Sequence, residues 1–511
     1  MIDPLILKLM YSTVITIPVL SGSILVDSYP RLSRVLRIMG FIAAPILITI
    51  MGYNIADYQL LLTLLASIIA IGVSLHNEGY YKVIYGLSRY FQVIVDLVLV
   101  SLILLFSSTY LVELIIYWFF LDLVIAFIAI TIEHGTENLP VASTYIAMCI
   151  APSDIALLTM WATLASKQGL FNSLLLQLNI MPSEKIPLDI VTSILILFGF
   201  ATKLGQFPLH SWPPIVYGKA PSHISALLSG LVSKLGIYAF FMSSQLFVFN
   251  PIAFYVLLTQ GLISTIYGSF GAVLQTDIKR ILAYSSVSYY GIVTALFAIS
   301  MILGDSSIYP VILTIVVFHS LMKSLAFINT ALIYQVANTY DVYRLGYLYY
   351  VSREGALAAF IALLNMTGIP PSIGFIAKVL ILSTSILLVS MNPISLALAV
   401  AIIVSAIFSI AYGVKYIGAY LGSLPRTPPR VIPIPKVELR SELYMGILSL
   451  GAPLVVLAYL FKTYIHGPLL VSIMLPIYLV TFTMGLIIFI RIIRKPVIPE
   501  DVKYWISGVE S

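Results

Sequence analysis

Residues 308–336 read IYPVILTIVVFHSLMKSLAFINTALIYQV, with no acid, no arginine, and His319 and Lys323 as the only basic side chains in a largely apolar run. Crossing about 30 Å of hydrocarbon takes about 20 apolar residues in a helix, and this stretch is longer. Lipid offers the backbone no hydrogen-bond partners, so a spanning segment must be a helix or a strand of a closed barrel. Barrel strands alternate apolar and polar over short segments, and this run is continuously apolar. Similar runs recur from the N-terminus to near residue 494. Across all 511 residues, 60% are hydrophobic and 9% charged, with a mean hydropathy of +1.05. Soluble domains carry about 25% charged residues. The sequence therefore predicts an all-α polytopic membrane protein.

Pattern reading gives 14–15 transmembrane helices. They are expected at 5–26, 34–52, 58–78, 89–107, 109–133, 141–165, 187–206, 222–247, 251–275, 279–300, 308–336, 353–390, 393–422, 442–463 and 468–492. Residues 1–26 could pass for a signal peptide, but they lack a small-residue cleavage site and are expected to stay as the first helix. With the N-terminus outside, eighteen of the 27 Lys and Arg residues fall in inside segments and three, Lys167, Lys185 and Lys462, in outside loops. The positive-inside rule then predicts a cytoplasmic C-terminus in the plasma membrane. The same rule explains a pI near 9.0 without a nucleic-acid partner. No loop exceeds about 25 residues, which leaves no room for a soluble catalytic domain.

Lysines within the spans carry the functional signal, because a charge at mid-membrane is costly. Lys8 lies near a helix end and is expected to snorkel to the headgroups. Lys203, Lys234, Lys323 and Lys378 sit too deep for that. An amine stripped of water holds its proton less firmly and can exchange it; the bland alternative is a structural ion pair. Acids within spans include Glu113, Asp122 and Asp154. Glu113 and Asp122 are nine residues apart, which at about 100° per residue puts them on opposite faces. Asp122 is the deeper, and so the choice for pairing with a lysine. Asp154 follows Pro152-Ser153 and could equally cap its helix.

His319 and Lys323, spaced i,i+4, share a helix face. His223 and Lys234, eleven apart and so about 20° out of register, are expected to share a face too. A histidine there can relay protons or simply be a satisfied hydrogen-bonder; His210 is a further accessory candidate. One cysteine, Cys149, excludes a cysteine-bound cluster, and no His/Cys/carboxylate group has ligand spacing. Neither a metal nor a cofactor is expected, and no catalytic residues in the enzymatic sense.

Two helices should be broken. Pro208 follows Lys203 by five residues, and Pro370-Pro371 precede Lys378; a proline removes a helical hydrogen bond and clashes with the preceding turn. The order lysine–break, then break–lysine, suits two inverted repeats with charge at the midplane. The expected organisation is N-terminal helices in 1–88, a first half-channel in 89–250 and a second in 251–423. A proline-rich cytoplasmic linker at 424–440 and C-terminal helices with a tail at 441–511 complete it.

These stretches resemble the antiporter-like family shared by proton-pumping subunits of complex I, Mrp-type sodium/proton antiporters and membrane-bound hydrogenases. The matching segments are GFATKLGQFPLHSW (199–212), APSHISALLSGLVSKLGIY (220–238), DIKRILAYSS (277–286), HSLMKSLAF (319–327) and the 368–378 break. They run through most of 110–380, in family order; residues 1–80 and 424–511 carry little of it. The resemblance implies proton translocation through Asp122, Lys203, Lys234, His319, Lys323 and Lys378, in a non-redox subunit of a larger respiratory or hydrogenase complex. A stand-alone or Mrp-type antiporter and a structural scaffold are the alternatives, and protons are favoured over sodium. Where the family usually has glutamate, this chain has Asp122, whose shorter side chain is expected to reach its lysine less well. His223 looks like the hydrogenase branch, and Ala283-Tyr-Ser-Ser-Val-Ser like complex I.

Overall fold

The computed structural model describes residues 4–51, 55–178, 184–423, 433–463 and 467–494. Four helices open the chain: α1 (Pro4–Ile24), α2 (Pro30–Ile50), α3 (Asp57–Tyr85) and α4 (Arg89–Phe106). Pro30 starts α2, where a missing N–H costs nothing. Gly86, at φ 75°, ends α3 in the left-handed conformation that glycine adopts without strain.

The next group contains three π-helical turns. α5 (Leu111–Val124) continues into one at Ile125–Ala129. α6 (Leu139–Tyr145) and α7 (Ala151–Gln168) are joined through a second at Ile146–Ile150. The short α8 (Leu170–Leu174) leads to α9 (Ile190–Lys203), capped by Asp189, whose carboxylate accepts from the Thr192 amide at 3.0 Å. α10 (Trp212–Lys219) follows the first break. α11 (Ser222–Leu227) and α12 (Lys234–Leu246) flank the third π-turn, Leu228–Val232.

The remaining helices are α13 (Pro251–Leu274), α14 (Ile278–Leu303), α15 (Tyr309–Ala337), α16 (Arg353–Thr367), α17 (Ile373–Met391), α18 (Ser395–Leu421), α19 (Lys436–Thr463) and α20 (Gly467–Arg494). Thirteen helices among the described residues are long and apolar enough to cross a membrane, with Ile190–Lys203 and Ser472–Gly485 as shorter apolar helices. Together these match the fifteen expected spans one for one. The expected span 353–390 is α16 and α17 separated by the second break. Most of the expected linker, 424–432, lies outside the described residues, and α19 begins at Lys436, inside the stretch expected to be linker. The tail from 495 onward also lies outside them.

Residues 222–244 and 318–333 are buried throughout and form the centre of the bundle. A helix apolar on every side belongs in such a position. Glycines let the surrounding helices close in. A Cβ on Gly261 would stand 2.7 Å from the Gly291 carbonyl oxygen, so α13 and α14 pack backbone to backbone. Exposed Ile, Leu and Val side chains on α2, α13 and α18 face outward, as lipid contact requires.

Loops expected on one side of the membrane pair with each other. Ile186–Pro187 forms a two-residue parallel strand pair with Phe247–Val248, the only strands among the described residues. Tyr110 bridges to Gln177, and Asp277 to Asp341. The Asp27 carboxylate accepts from the Ser88 amide and hydroxyl at 3.1 and 2.9 Å. Each of these pairings requires an even number of crossings between its partners, which the fifteen-span order supplies.

Candidate ion-translocation site

Lys203 is the last residue of α9. The chain then turns through Gly205, at φ 64°, and the cis Phe207–Pro208 bond before α10 begins. The Lys203 Nζ stands 2.6 Å from each carboxylate oxygen of Asp122, with both side chains buried. Trp118, one helical turn before Asp122, places its ring centroid 5.1 Å from the same nitrogen, within cation–π range. The aspartate therefore reaches its lysine fully, contrary to the expectation from its shorter side chain. The lysine's four-carbon stem covers the difference, and Gly199 lets α9 lie against Pro152 and Ala156 of α7.

Asp154 is a third member of this cluster. It lies in the first turn of α7, yet its carboxylate accepts from Trp118 Nε1 at 3.0 Å, on the same indole that faces Lys203. Asp154 thus lies beside the Asp122–Lys203 pair through their common neighbour Trp118. Glu113 faces the other way, as its spacing requires. It accepts from the Thr109 amide at 2.8 Å and pairs with Lys8 at 3.1 Å. Lys8 thus binds a carboxylate and the Ser107 carbonyl instead of snorkelling.

Lys234 opens α12, directly after the π-turn. Its Nζ donates to the Ser229 carbonyl at 2.7 Å and to the Tyr290 hydroxyl at 2.7 Å, and lies 2.9 Å from His319 Nδ1. The Ser229 carbonyl also accepts from Tyr290 at 2.7 Å and from the Ser233 hydroxyl at 3.0 Å. No carboxylate touches this amine among the described residues. His319 and Lys323 do share a face, and diverge at their tips: Lys323 donates to the Leu282 carbonyl at 2.8 Å and to Ser285. Ser286, next along α14, hydrogen-bonds Ser229 at 3.0 Å. A ladder of α14 hydroxyls thus stands between Lys323 and Lys234.

Lys378 lies in the second turn of α17, after the cis Pro370–Pro371 bond. Its Nζ takes the Met366 and Thr367 carbonyls at 2.8 Å each and Ser409 at 2.6 Å. Those carbonyls end α16, where the helix dipole favours a cation. Gly368, at φ 73°, is pressed against the Lys378 stem; a Cβ there would meet its Cδ at 2.5 Å.

Two accessory candidates sit elsewhere. His210 lies beside Phe207 and Tyr267 in the first break, with its Nδ1 3.2 Å from the Pro208 carbonyl oxygen. His223 is not with Lys234. The intervening π-turn carries more residues per turn than an α-helix, so the regular-helix register fails across it. His223 instead meets His76 of α3 at 2.8 Å. His76, Tyr290, Ser229 and the acids of α19 were missed in the sequence. A His-Asn-Glu triplet at 76–78 inside an apolar helix was the signal available for the first.

Buried amines at two helix breaks, inside a bundle whose centre is wholly enclosed, define a multi-pass membrane protein with polar stations along its core. A sequence profile described as "NADH:quinone oxidoreductase/Mrp antiporter, TM" matches residues 112–408, and the chain belongs to that family. Among curated relatives, Hydrogenase-4 component B of Escherichia coli (strain K12) is 33% identical over 198 residues, 36% of this chain and 29% of that protein. A Na(+)/H(+) antiporter subunit of Bacillus subtilis (strain 168) is 34% identical over 199 residues, 37% and 25% of the two chains. The match thus spans under a third of the length of either relative. The fold is shared with a chain of the Mrp complex from Dietzia sp. DQ12-45-1b, at a TM-score of 0.70 and 18% identity, covering 88% of this chain and 96% of that one.

Proposed function

We propose that this chain translocates protons as an antiporter-like subunit of a redox-driven membrane complex, of complex I-like or membrane-bound hydrogenase type. The observation carrying the proposal is the contrast between two neighbouring buried amines: Lys203 clamped by Asp122 at 2.6 Å, and Lys234 held by neutral groups and His319 alone. The clamped amine keeps its proton at rest. A movement in a neighbouring subunit that parts Asp122 from Lys203 removes the counter-charge, and the proton moves toward Lys234. Like charges 4 Å apart repel by about 4 kcal/mol at an effective dielectric near 20, enough to drive such a handover. His319, Lys323 and the α14 hydroxyls carry it toward Lys378, which releases it. The segments 89–250 and 251–423 serve as inverted half-channels. The membrane is the plasma membrane, with the N-terminus outside and the C-terminus cytoplasmic.

A second reading, an Mrp-type sodium/proton antiporter subunit, is favoured by the names of the Bacillus relative and the Dietzia complex. Against sodium stands the donor set, since hard cations take oxygen ligands and this axis is lined by amines and imidazoles. The test is transport by the complex in vesicles carrying a pH-sensitive dye. Lys234→Ala should cut proton movement at least tenfold with the complex intact. Intact pumping with failed assembly would make the lysines structural and defeat the proposal. Sodium-dependent proton exchange without any electron donor would establish the second reading.

A further inference from the structure

A second buried group of titratable side chains lies outside the lysine axis, where α3, α11, α15 and α19 meet. His76 Nδ1 is 2.8 Å from His223 Nε2, and His76 Nε2 is 3.2 Å from Glu442 Oε1. Glu438, one turn earlier on α19, brings an oxygen to 3.8 Å from the same His76 nitrogen. All four side chains are fully buried. Among the described residues, neither Glu438 oxygen has a hydrogen-bond partner within 3.5 Å, nor does His223 Nδ1. Asn329 of α15 donates to Glu442 Oε2 at 3.0 Å and is itself held by Tyr416 and Tyr420 of α18. Tyr80 and Tyr81 of α3 flank His223, Lys279 of α14 faces it, and Gln335 of α15 lies beside Glu438. The helices are fitted for this contact: a Cβ on Gly79 would stand 3.0 Å from the Glu438 Cβ.

Resting on the proton-translocation reading, we propose that Glu442, His76 and His223 form a proton wire, with Glu438 as its loading group, that feeds the lysine axis through α11. Both ring nitrogens of His76 are in hydrogen bonds, and the line stays bonded in either of two polarities. In one, protonated Glu442 donates to His76 Nε2, His76 Nδ1–H donates to His223 Nε2, and His223 carries its proton on Nδ1. If each proton advances one bond, Glu442 becomes carboxylate and accepts from His76 Nε2–H. His76 Nδ1 then accepts from His223 Nε2–H, and the proton on His223 Nδ1 leaves. One proton enters at the acid end, one departs from the imidazole end, and ring rotation resets the line. An unpartnered buried carboxyl such as Glu438 calls for an explanation, and delivery of protons to His76 and Glu442 supplies one. His76, Glu438 and Glu442 all lie outside the segment matched to the family, residues 112–408.

The wire is tested in the full chain, within the complex it purifies with, reconstituted in vesicles. His76→Leu and Glu442→Gln should each lower proton transport at least tenfold, Glu442→Asp should restore part of it, and Glu438→Gln should shift the pH profile. Assembled variants with the wild-type rate and pH profile would overturn the wire. Should a variant not assemble, ¹⁵N solid-state NMR of the wild type decides: both histidines should populate both neutral tautomers between pH 5 and 9. A single fixed tautomer of each across that range would overturn it. Lys234→Ala is the control. If it pumps normally the translocation reading falls, and the NMR result still judges the wire.

Discussion

Asp122 and Lys203 hold one another with no water needed, and that closeness sets what their removal costs. Breaking a buried pair by deleting one partner costs about 3–5 kcal/mol, because the other charge is left stranded. Asp122→Asn should accordingly lower the melting temperature of the purified complex and abolish transport, while Asp122→Glu restores both; an unchanged melting curve for Asp122→Asn would contradict the pair's role. Gly368→Ala places a side chain at φ 73° against the Lys378 stem, and should destabilise by about 1–2 kcal/mol, measurable as a lower melting temperature. At this scale the sequence was readable wherever charge interrupts apolar runs. The four deep lysines and Asp122 stand out for that reason. Glu438 and Glu442 did not, because the stretch Lys436-Val-Glu-Leu-Arg-Ser-Glu reads as a mixed-charge surface segment, and only the packing of α19 against Gly79 buries its acidic side.

Breaks and bulges are the informative features among the elements. Both proline breaks were legible, since proline states its backbone requirement in its own covalent structure. The π-turns were not, because nothing in Leu-Ser-Gly-Leu-Val at 228–232 distinguishes a wide turn from a normal one. A π-bulge amounts to one inserted residue. Because the bulge is itself the extra residue, deleting Gly230 should convert the turn to α-helix and leave Lys234 on the same side of the helix relative to His223. Transport should then be largely kept while far-UV circular dichroism stays helical. A tenfold or greater loss in that deletion would mean that the wide turn itself is needed, beyond the placement of Lys234 beside His319 and Tyr290.

Across the whole molecule, the order of crossings is the claim most exposed to experiment. His134 and Lys167 are both solvent-facing and lie at opposite ends of the rod made by α6 and α7. In a Cys149→Ala background, a membrane-impermeant maleimide applied to intact cells should label Lys167→Cys and leave His134→Cys untouched. Reversed labelling would invert the proposed orientation, and labelling of both would remove this rod as a span. The span list was readable from end to end because hydrocarbon thickness sets a length that the sequence must meet. Which helices occupy the centre was not, since a helix facing lipid and a helix facing other helices are equally apolar.

The bond from His76 to Glu442 joins residues 366 positions apart. At about 5–20 residues per second of synthesis, His76 is made roughly 20–70 s before its acid partner exists. During that interval the early helices hold an imidazole in the bilayer with its second nitrogen unanswered. Docking of α19 is therefore the late fastening step of biogenesis, and a ribosome stalled before Lys436 would leave an unfinished bundle for membrane quality control to recognise.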